Sequence, residues 1–457
     1  MNQSVQQKNA FSMTLSKVAE ILGVPYAGED VLVDGVSTDT RSLQGGELFV
    51  ALRGENFDAN DFAVKANELG AVACVLEHPV DGINNAVIVE DSRKALADLA
   101  KAWRQQFSIP VIAITGSNGK TTVKEMLASI LQEQGNVLFT QGNFNNDIGV
   151  PLTLFRLNSQ HDSAIIEMGA NHVGEIAYLV DIVNPDVGIV NNAAAAHLEG
   201  FGSLQGVAKA KGEMFKGLAD KATAIINADD NFSSLWEEMA SSRNKIHFGL
   251  KNKQQSEISA EWTANIKGSL VSVTLADQSF DFQLALPGEH NVMNALAAIA
   301  AAIAIDVPVS HIQSGLEKMQ SIKGRLQLKA GVNGSQIIDD TYNANPASLC
   351  VALEVLKSYP GKHYLALGDM GELGENATAL HQQAGQQAKD SGVQRMFTLG
   401  PLSVDAGNMF GQGAESYQAH DEMINVLNKE LNNNITLLVK GSRSMQMEKI
   451  VNAVSTG

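Results

Sequence analysis

The sequence contains few cysteines, few prolines and few aromatic residues. Its 457 residues include two cysteines, Cys74 and Cys350, ten prolines and 5% aromatic residues. Two cysteines in a chain of this length argue against a disulfide framework and fit a reducing compartment. Both lie in apolar stretches, so we expect two small buried side chains rather than catalytic thiols.

Positive charge and long apolar runs are also scarce. Lys and Arg number 33 against 50 Asp and Glu, a formal net charge of -17, which repels nucleic acid and anionic membranes. The N-terminus has no basic segment leading into an apolar one, and the most apolar run, residues 295–305, is shorter than the roughly 20 residues of a membrane span. We therefore expect a soluble, cytoplasmic protein without stable membrane insertion and without a nucleic-acid partner. Any anionic ligand requires a local positive pocket.

Length and pattern predict an α/β fold of three domains. Residues 1–90 mix short strands with helices. Residues 91–323 alternate strands and helices, which is typical of a mostly parallel sheet covered on both faces, and residues 256–286 interrupt it with an antiparallel pattern. Residues 324–457 repeat the alternation and predict a second, smaller, Rossmann-like doubly wound sheet.

The most specific motif is an apolar strand that runs through a glycine-containing turn into a helix, Val111-Ile-Ala-Ile-Thr-Gly-Ser-Asn-Gly-Lys-Thr-Thr. Gly116 and Gly119 allow backbone N–H groups to face an anion, and the helix start adds partial positive charge. We expect Lys120 to meet the β- and γ-phosphates of a nucleotide and Thr121 to place a hydroxyl on Mg²⁺. Ile114 stands where the general phosphate-loop pattern requires glycine, so an ordinary strand–helix turn remains an alternative.

Three further polar residues follow the next predicted strands. Glu167 ends an apolar strand, at the sheet edge where ligands bind in open α/β folds, and a carboxylate there suits Mg²⁺. His197 follows a run of alanines and fits a metal ligand, a phosphate contact or a structural histidine. Lys211 lies in a predicted helix and is either a solvated lysine or, near a metal, one that contacts an anion or is chemically modified.

Together these segments resemble the Mur ligases, the ATP-dependent amide ligases of peptidoglycan synthesis, over nearly the whole chain. The resemblance rests on Thr115-Gly-Ser-Asn-Gly-Lys-Thr, Glu167-Met-Gly-Ala-Asn-His, Ala196-His-Leu-Glu-Gly-Phe-Gly and Ala210-Lys-Gly-Glu, in the order of the family. The family's ATP loop lacks the glycine that Ile114 replaces. The resemblance implies that Glu167 and His197 hold Mg²⁺, in addition to the hydroxyl of Thr121. It further implies that Lys211 is carried as a carbamate, an acid able to bind metal.

The resemblance extends through the last third of the chain. Asn291 and Asn294 resemble the family's adenine-side asparagines, and Arg325 resembles a hinge arginine that reaches phosphate on domain closure. Asp340 and Asn345 lie in a segment that resembles the ribose-binding one. The resemblance thus implies ATP contacts by Gly116, Ser117, Asn118, Gly119, Lys120, Thr121, Thr122, Asn291, Asn294, Arg325, Asp340 and Asn345. The catalytic residues that it implies are Lys120, Glu167, His197, Lys211 and Arg325.

The implied substrates come from shorter matches. Ser37, Thr38, Asp39 and Arg41 resemble the family's UDP-sugar site. Tyr342-Asn-Ala-Asn-Pro and Gly368-Asp-Met-Gly-Glu-Leu-Gly resemble members that add D-Ala-D-Ala, and the Asp-Asn-Pro-Arg signature of the diaminopimelate-adding ligase is absent. The resemblance implies a monomer that joins D-Ala-D-Ala to UDP-MurNAc-tripeptide through an acyl phosphate, with ATP and Mg²⁺. Its domains would bind the UDP-sugar (1–90), bind ATP (91–323) and complete the ligase site (324–457).

Two other functions remain open at this stage. The first is another amide ligase of the same architecture, such as a folylpolyglutamate synthetase, although such an enzyme lacks the UDP-sugar domain. The second is a nucleotide-driven switch that makes no bond, although a switch does not need a second doubly wound domain presenting Arg325 and Asp340. The third residue of the tripeptide, lysine or diaminopimelate, stays undetermined.

Overall fold

A computed structural model describes residues 10–54, 57–195, 198–265, 268–276 and 278–456. Their strands form four sheets that follow one another along the chain, and helices cover them, which confirms the predicted α/β class. Within these ranges no helix combines the length and the apolar character needed to cross a bilayer. The first two sheets lie within residues 12–88, the third spans 111–284 and the fourth spans 327–440. These ranges fall inside the predicted domains 1–90, 91–323 and 324–457. The domain boundaries themselves remain predictions.

The N-terminal region contains an antiparallel pair, β1 with β2, and a parallel sheet in the order β3-β4-β5-β6. Helix α1 ends at Gly23, which adopts a left-handed conformation with φ of 67°. In chain order the elements are β1 (Ser12–Thr14), α1 (Leu15–Leu22), β2 (Leu32–Asp34), β3 (Val36–Ser37), β4 (Leu48–Val50), α2 (Ala63–Glu68), β5 (Ala73–Leu76) and β6 (Ala86–Ile88).

The central region is built on a nine-stranded sheet in the order β15-β14-β13-β12-β11-β10-β7-β9-β8. Strands β7 to β13 are parallel, and β14 and β15 add the antiparallel arm that the sequence predicts. In chain order the elements are α3 (Ser92–Arg104), β7 (Val111–Thr115), α4 (Lys120–Leu131), β8 (Val137–Phe139), α5 (Gly149–Leu154), β9 (Ser163–Glu167), α6 (Glu175–Val183), β10 (Val187–Val190), α7 (Leu198–Phe201), α8 (Leu204–Gly217), β11 (Thr223–Asn227), α9 (Ser233–Ala240), β12 (Asn244–Gly249), β13 (Ile258–Asn265), β14 (Gly268–Thr274), β15 (Ser279–Leu284), α10 (Glu289–Ile303) and α11 (Val309–Glu317).

Strand β7 is buried on both faces. Val111 and Ala113 pack into one apolar core, and Ile112 and Ile114 pack into the other, because successive side chains of a strand point to opposite faces. The first of these cores continues into the N-terminal region without a break. The carboxyl end of β7, where the phosphate motif begins, is therefore held from both sides.

The N-terminal and central regions are joined by an aromatic cluster. The ring of Phe11 lies 5.2 Å from that of Trp103 and 5.1 Å from that of Phe155, measured between ring centres. The backbone N–H groups of Ala10 and Phe11 both donate to the Phe155 carbonyl, at 2.9 and 3.1 Å. These contacts fix Ala10 and Phe11 to the central region.

The C-terminal region is a six-stranded sheet in the order β16-β17-β21-β18-β19-β20, parallel except for β16. Helix α12 starts from a capping box between Asn345 and Ser348, with Pro346 in its first turn. In chain order the elements are β16 (Gln327–Ala330), β17 (Gln336–Asp340), α12 (Pro346–Lys357), β18 (Lys362–Gly368), α13 (Ala377–Asp390), β19 (Arg395–Leu399), α14 (Ser403–Phe410), β20 (Ala414–Tyr417), α15 (His420–Glu430), β21 (Ile435–Lys440) and α16 (Glu448–Val454).

The two cysteines differ in exposure. Cys74 on β5 is buried, as predicted, and burial raises the pKa of its thiol to about 11. The prediction is wrong for Cys350, which is exposed on α12. The neighbouring Leu349 and Leu353 supply the buried face of that helix, so Cys350 falls on the opposite side.

Candidate active site

A cavity of about 1040 Å³ lies between the central and C-terminal sheets. Its walls include residues at the carboxyl ends of β7, β9, β10, β17 and β21, the edge at which open parallel sheets bind ligands. Among the predicted site residues, those lining it are Ser117, Asn118, Gly119, Lys120, Thr121, Thr122, Glu167, Lys211, Asn291, Asn294, Arg325, Asp340 and Asn345. Gly116 is not among the lining residues, although its carbonyl accepts from the lining residue Lys120, and His197 falls outside the described residues.

The turn after β7 requires glycine at Gly119. Its φ is 80°, a left-handed conformation that side chains disfavour. A Cβ atom at this position would also clash with the side-chain amides of Asn191 and Asn294. The backbone of the loop therefore packs directly on these two asparagines.

The backbone N–H groups of the loop divide into two sets. Ser117 N–H donates to the Asn192 carbonyl at 3.0 Å, and Asn118 N–H donates to Asn192 Oδ1 at 2.9 Å. The N–H groups of residues 119–122 have no partner in the described part of the chain. Since these groups form the first turn of α4, the N–H groups available to an anion lie at 119–122 rather than at Ser117 and Asn118.

Lys120 lies beside this free turn. Its ammonium donates to the Gly116 carbonyl at 2.7 Å and is half-buried in the cavity wall. Burial lowers the pKa of Lys120, Glu167 opposes that change, and the charge of Arg325 adds to it. A phosphate group in the cavity would reverse this penalty by supplying opposite charge.

Thr121 connects an acid and a cation. Its hydroxyl donates to Glu167 Oε2 at 2.9 Å and accepts from Arg325 Nη2 at 2.8 Å. The other oxygen of Glu167 accepts from Asn145 Nδ2 at 2.9 Å, and the Glu167 side chain is buried. The carboxylate and the hydroxyl are thereby held in one orientation.

Lys211 lies on α8 with 1% of its surface exposed. Its Nζ atom lies 5.4 Å from the ring centre of Phe201 and makes no hydrogen bond within the described ranges. Burial first and the charge of Lys120 second lower the pKa of Lys211 to about 7, against the opposing effect of Glu175 and Glu213. A large fraction of this amine is therefore neutral at neutral pH.

A network of asparagines supports the loop from below. Asn191 Nδ2 donates both to the Asn118 carbonyl, at 2.9 Å, and to Asn294 Oδ1, at 2.8 Å. Asn294 in turn donates to Asn291 Oδ1 at 3.4 Å. From the C-terminal region, Asn345 Nδ2 donates to Asn118 Oδ1 at 2.9 Å, so the network crosses the cavity.

The C-terminal wall holds a buried ion pair. Lys440, at the end of β21, donates to Asp340 Oδ2 at 2.5 Å and to the Asn343 carbonyl at 3.0 Å. His290 faces this pair, and its burial lowers the pKa of the imidazole to about 4, so the ring is neutral at physiological pH. Tyr342 covers Arg325, whose guanidinium carbon lies 4.2 Å from the ring centre.

The four predicted UDP-sugar residues lie outside this cavity. Ser37 ends β3, and Thr38 and Asp39 follow it. The Asp39 carboxylate accepts hydrogen bonds from the Arg41 backbone and guanidinium, and the Arg41 side chain is exposed. The structure therefore places them together on the N-terminal region, apart from the phosphate loop.

Sequence reasoning missed three asparagines: Asn145, Asn191 and Asn192. All three follow strands at the edge that carries Glu167 and the phosphate loop. The rule that ligands bind beyond the carboxyl ends of parallel strands would have indicated them, because polar runs directly follow β8 and β10.

No cluster of three or more His, Cys, Asp or Glu residues suited to a metal occurs among the residues that the structure describes. Mg²⁺ commonly takes one or two protein oxygens and completes its shell with phosphate and water. The Thr121 hydroxyl and the Glu167 carboxylate are such oxygens. The described residues therefore fit Mg²⁺ bound together with a nucleotide.

Comparison with known families gives three matches along the chain. The Mur ligase family, catalytic domain, matches residues 32–104; the Mur ligase middle domain matches 114–302; and the Mur ligase, glutamate ligase domain, matches 324–443. The chain belongs to the Mur ligase family.

Relatives that match over nearly the full length show which group of Mur ligases the chain resembles. A protein of Escherichia coli (strain K12) named UDP-N-acetylmuramoyl-tripeptide--D-alanyl-D-alanine ligase is 44% identical over 445 residues, which cover 97% of this chain and 98% of the relative. A crystal structure of MurF from Acinetobacter baumannii has a TM-score of 0.90 at 33% identity and covers 97% and 99% of the two chains. MurF from Thermotoga maritima in complex with ADP has a TM-score of 0.80 at 26% identity, covering 92% and 96%. Within its family the chain groups with the ligases of this name.

Proposed function

We propose that this protein joins D-Ala-D-Ala to the terminal carboxylate of UDP-MurNAc-tripeptide and converts ATP to ADP and phosphate. The observation that carries this proposal is the full-length similarity to ligases of that name, at 44% identity. The cavity between the central and C-terminal regions supports it, because the phosphate loop faces Arg325 and Asp340 there.

ATP fits the cavity through complementary groups. The free N–H groups of residues 119–122 and the Lys120 ammonium suit its phosphates. The side chains of Asn291 and Asn294 supply polar atoms for the base, and the Asp340 carboxylate accepts from ribose hydroxyls. A wall from each of the two regions thus contributes to one nucleotide site.

Mg²⁺ would be held by the Thr121 hydroxyl and the Glu167 carboxylate, with His197 as a further ligand by family resemblance. When bound, the ion neutralises charge on the transferring phosphoryl group. Asn145 Nδ2 donates to Glu167 Oε1 at 2.9 Å, and the Glu167 backbone N–H donates to the Thr140 hydroxyl at 3.0 Å. Such support fixes the direction of the carboxylate before any ligand arrives.

The proposed chemistry turns a poor leaving group into a good one. A carboxylate oxygen of the tripeptide attacks the γ-phosphorus of ATP, ADP leaves, and an acyl phosphate forms. The amine of D-Ala-D-Ala then attacks the acyl carbon, loses a proton, and expels phosphate. Lys120 and Arg325 stabilise the negative charge that develops on the phosphoryl oxygens, and the enclosing walls keep water from the acyl phosphate.

Lys211 has the properties of a lysine that reacts with carbon dioxide. The neutral form of its buried amine is a nucleophile, and carbamylation converts this amine into an anion beside the positive charge of Lys120. The carbamate would place negative charge where family resemblance expects a metal ligand. We propose that the active protein carries this modification.

The remaining parts of the proposal concern the UDP-sugar and the cell. Ser37, Thr38, Asp39 and Arg41 would hold the UDP moiety, which lets the extended peptide reach from the N-terminal region to the cavity. We place the protein in the cytoplasm as a monomer, and its two unpaired cysteines agree with a reducing compartment.

A coupled phosphate-release assay with substrate pairs tests the function. UDP-MurNAc-tripeptide with D-Ala-D-Ala should stimulate turnover, and mass spectrometry should detect the new amide. Tripeptides ending in lysine and in diaminopimelate should be compared. Stimulation only by a folate with glutamate, or ATP hydrolysis without an acceptor and without a new amide, would contradict the proposal.

A further inference from the structure

One buried lysine has no part in the chemistry described so far. Lys124, on α4, has 2% of its surface exposed and does not belong to the described residues that line the cavity. Burying an ammonium is costly unless it is paired, so the partners of this side chain indicate its role. Lys124 follows Thr121 by three residues, and the two side chains therefore lie on one face of α4.

The Lys124 ammonium contacts a carbonyl, an acid and an aromatic ring. It donates to the Thr140 carbonyl at 2.7 Å and lies 2.8 Å from Glu125 Oε1. It also lies 5.5 Å from the ring centre of Phe139, the last residue of β8. Glu125 balances the charge, and Phe139 and Thr140 are consecutive residues. The lysine therefore joins α4 to the carboxyl end of β8.

Strand β8 needs such support because it is an edge strand of the nine-stranded sheet. It has three residues, Val137–Phe139, and pairs with β9 on one side. A short edge strand has fewer ladder hydrogen bonds than a central strand to hold its end. The connection that follows, residues 140–148, carries Asn145, whose side-chain amide donates to Glu167. The position of Asn145 therefore depends on how firmly the end of β8 is held.

Thr140 connects this support directly to Glu167. The Glu167 backbone N–H donates to the Thr140 hydroxyl at 3.0 Å, and the Thr140 N–H donates to the Ile165 carbonyl at 3.1 Å. Thr140 is completely buried, so the hydroxyl is enclosed by protein. Glu167 is thus held at its backbone as well as at its carboxylate.

We propose that Lys124 is a positioning residue for the magnesium site: it fixes Thr140 at the end of β8 and thereby the direction in which Glu167 presents its carboxylate. The inference rests on the proposed function, in which Glu167 binds Mg²⁺ beside ATP. The lysine acts through the hydrogen bonds of Thr140 rather than by contact with the metal. Removing groups that orient a metal ligand commonly changes metal affinity by about 10- to 100-fold.

Two consequences distinguish this role from a purely structural one. Loss of Lys124 lowers the affinity for the metal, so saturating Mg²⁺ should restore most of the rate. A variant that is only less stable loses the same fraction of its activity at every Mg²⁺ concentration. Loss of Lys124 also loosens the hydrogen bond from the Glu167 N–H to Thr140, so amide hydrogen exchange at Glu167 should become faster.

The test measures metal binding directly in the complex with ADP. Mn²⁺ accepts the same oxygen ligands as Mg²⁺ and is detected by electron paramagnetic resonance, so it is titrated into wild type and Lys124→Met. We expect the Kd for Mn²⁺ to rise about 10-fold in the variant. The Kd for ADP without metal should stay close to that of wild type, because the phosphate loop is unchanged.

Two further positions supply the controls. Arg104→Met removes another buried cation, which donates to the Phe107 carbonyl at 2.6 Å and lies near Asp186, before the amino end of β10. This variant should lower stability without changing the Kd for Mn²⁺. Thr140→Val interrupts the same connection with a smaller change and decides the question if Lys124→Met does not fold. It should raise the Kd for Mn²⁺, whereas Thr140→Ser keeps the hydroxyl and should not.

The double variant Lys124→Met/Thr140→Val tests whether both residues act along one connection. If they do, its Kd for Mn²⁺ should equal that of the weaker-binding single variant, because the second change has nothing further to remove. Effects that multiply in the double variant would show two separate roles and would contradict the inference.

Two other outcomes would overturn the inference. The first is an unchanged Kd for Mn²⁺ in either Lys124→Met or Thr140→Val. The second is an equal rise in Arg104→Met, which would make the effect a general result of destabilisation. A wild type that binds Mn²⁺ with ADP but forms no amide from UDP-MurNAc-tripeptide and D-Ala-D-Ala would refute the proposed function instead. The metal titration and the amide assay therefore separate the two failures.

Discussion

Arg325 and Thr121 are joined by a hydrogen bond of 2.8 Å from the guanidinium to the hydroxyl. Arg325 precedes the C-terminal sheet, and Thr121 lies in the first turn of α4 in the central region. The same hydroxyl donates to Glu167, so one oxygen atom connects a cation of one region with an acid of the other. Changes at this atom should affect metal binding and domain closure together.

Thr121→Val should lower kcat by about 10²- to 10³-fold, the usual scale for removing one group that stabilises developing charge. Valine has the shape of threonine but lacks the hydroxyl, so both hydrogen bonds are lost. Thr121→Ser keeps the hydroxyl and serves as the matched control. Phosphate release measures the effect, and equal rates for the valine and serine variants would show that the hydroxyl has no role.

Lys120→Ala should abolish turnover while the fold is retained. The ammonium is expected to contact the transferring phosphoryl group, and it lies on the cavity wall rather than in the apolar core. Phosphate release reports activity, and circular dichroism with a melting curve reports folding. Activity near that of wild type would refute the phosphate role of Lys120.

Lys211→Ala should lose activity, and short carboxylates such as acetate or formate should restore part of it by occupying the position of the carbamate. Lys209→Ala is the matched control, because Lys209 is exposed on the same helix two residues earlier. Phosphate release with increasing carboxylate measures the rescue. Full activity of Lys211→Ala without added acid would exclude a carbamate at this position.

The stability of the unmodified protein should depend on pH through Lys211. Its pKa is about 7 in the folded protein, against an ordinary value of 10.5, so between these values the unfolded chain binds more protons. Stability from this group therefore rises as pH increases from about 7 to about 10.5 and is lowest below about 7. In buffer free of carbon dioxide, Lys211→Met should raise the melting temperature more at pH 6 than at pH 9. An equal increase at both values would contradict the lowered pKa.

Gly119→Ala should weaken ATP binding. The added Cβ clashes with Asn191 and Asn294 and displaces the turn that presents the N–H groups of α4. Gly392→Ala is the matched control, because Gly392 has a φ of 79° and open space around it, so it adds the same backbone strain without the clash. Nucleotide titration measures both variants, and an ATP affinity of Gly119→Ala equal to that of Gly392→Ala would show that the added Cβ does not disturb the turn.

The sequence predicted the elements that carry strong local signals. Strand β7 runs from Val111 to Thr115, and the arm at 256–286 is antiparallel, both as predicted. Short edge strands such as β16 and β20 were missed, because four residues with little apolar patterning give no periodicity to detect.

The site could be predicted only in part, for a similar reason. Residue type and strand position indicated Lys120 and Glu167, the family resemblance indicated Arg325, and the structure places all three on one cavity. The hydrogen bonds from the Ser117 and Asn118 N–H groups to Asn192 depend on which strands are neighbours in the sheet. The sequence does not give the order of the strands. The roles proposed for the site residues, including His197 outside the described ranges, remain predictions.

Because only one of the two cysteines is exposed, a fluorescent label can be placed near the cavity without mutation. Cys74 is buried with a pKa of about 11, so a maleimide dye at neutral pH should attach at Cys350. Cys350 lies one turn into the helix that Asn345 caps, and Asn345 bonds across to Asn118. The fluorescence of a dye on this native thiol would therefore report nucleotide binding without any mutation of the protein.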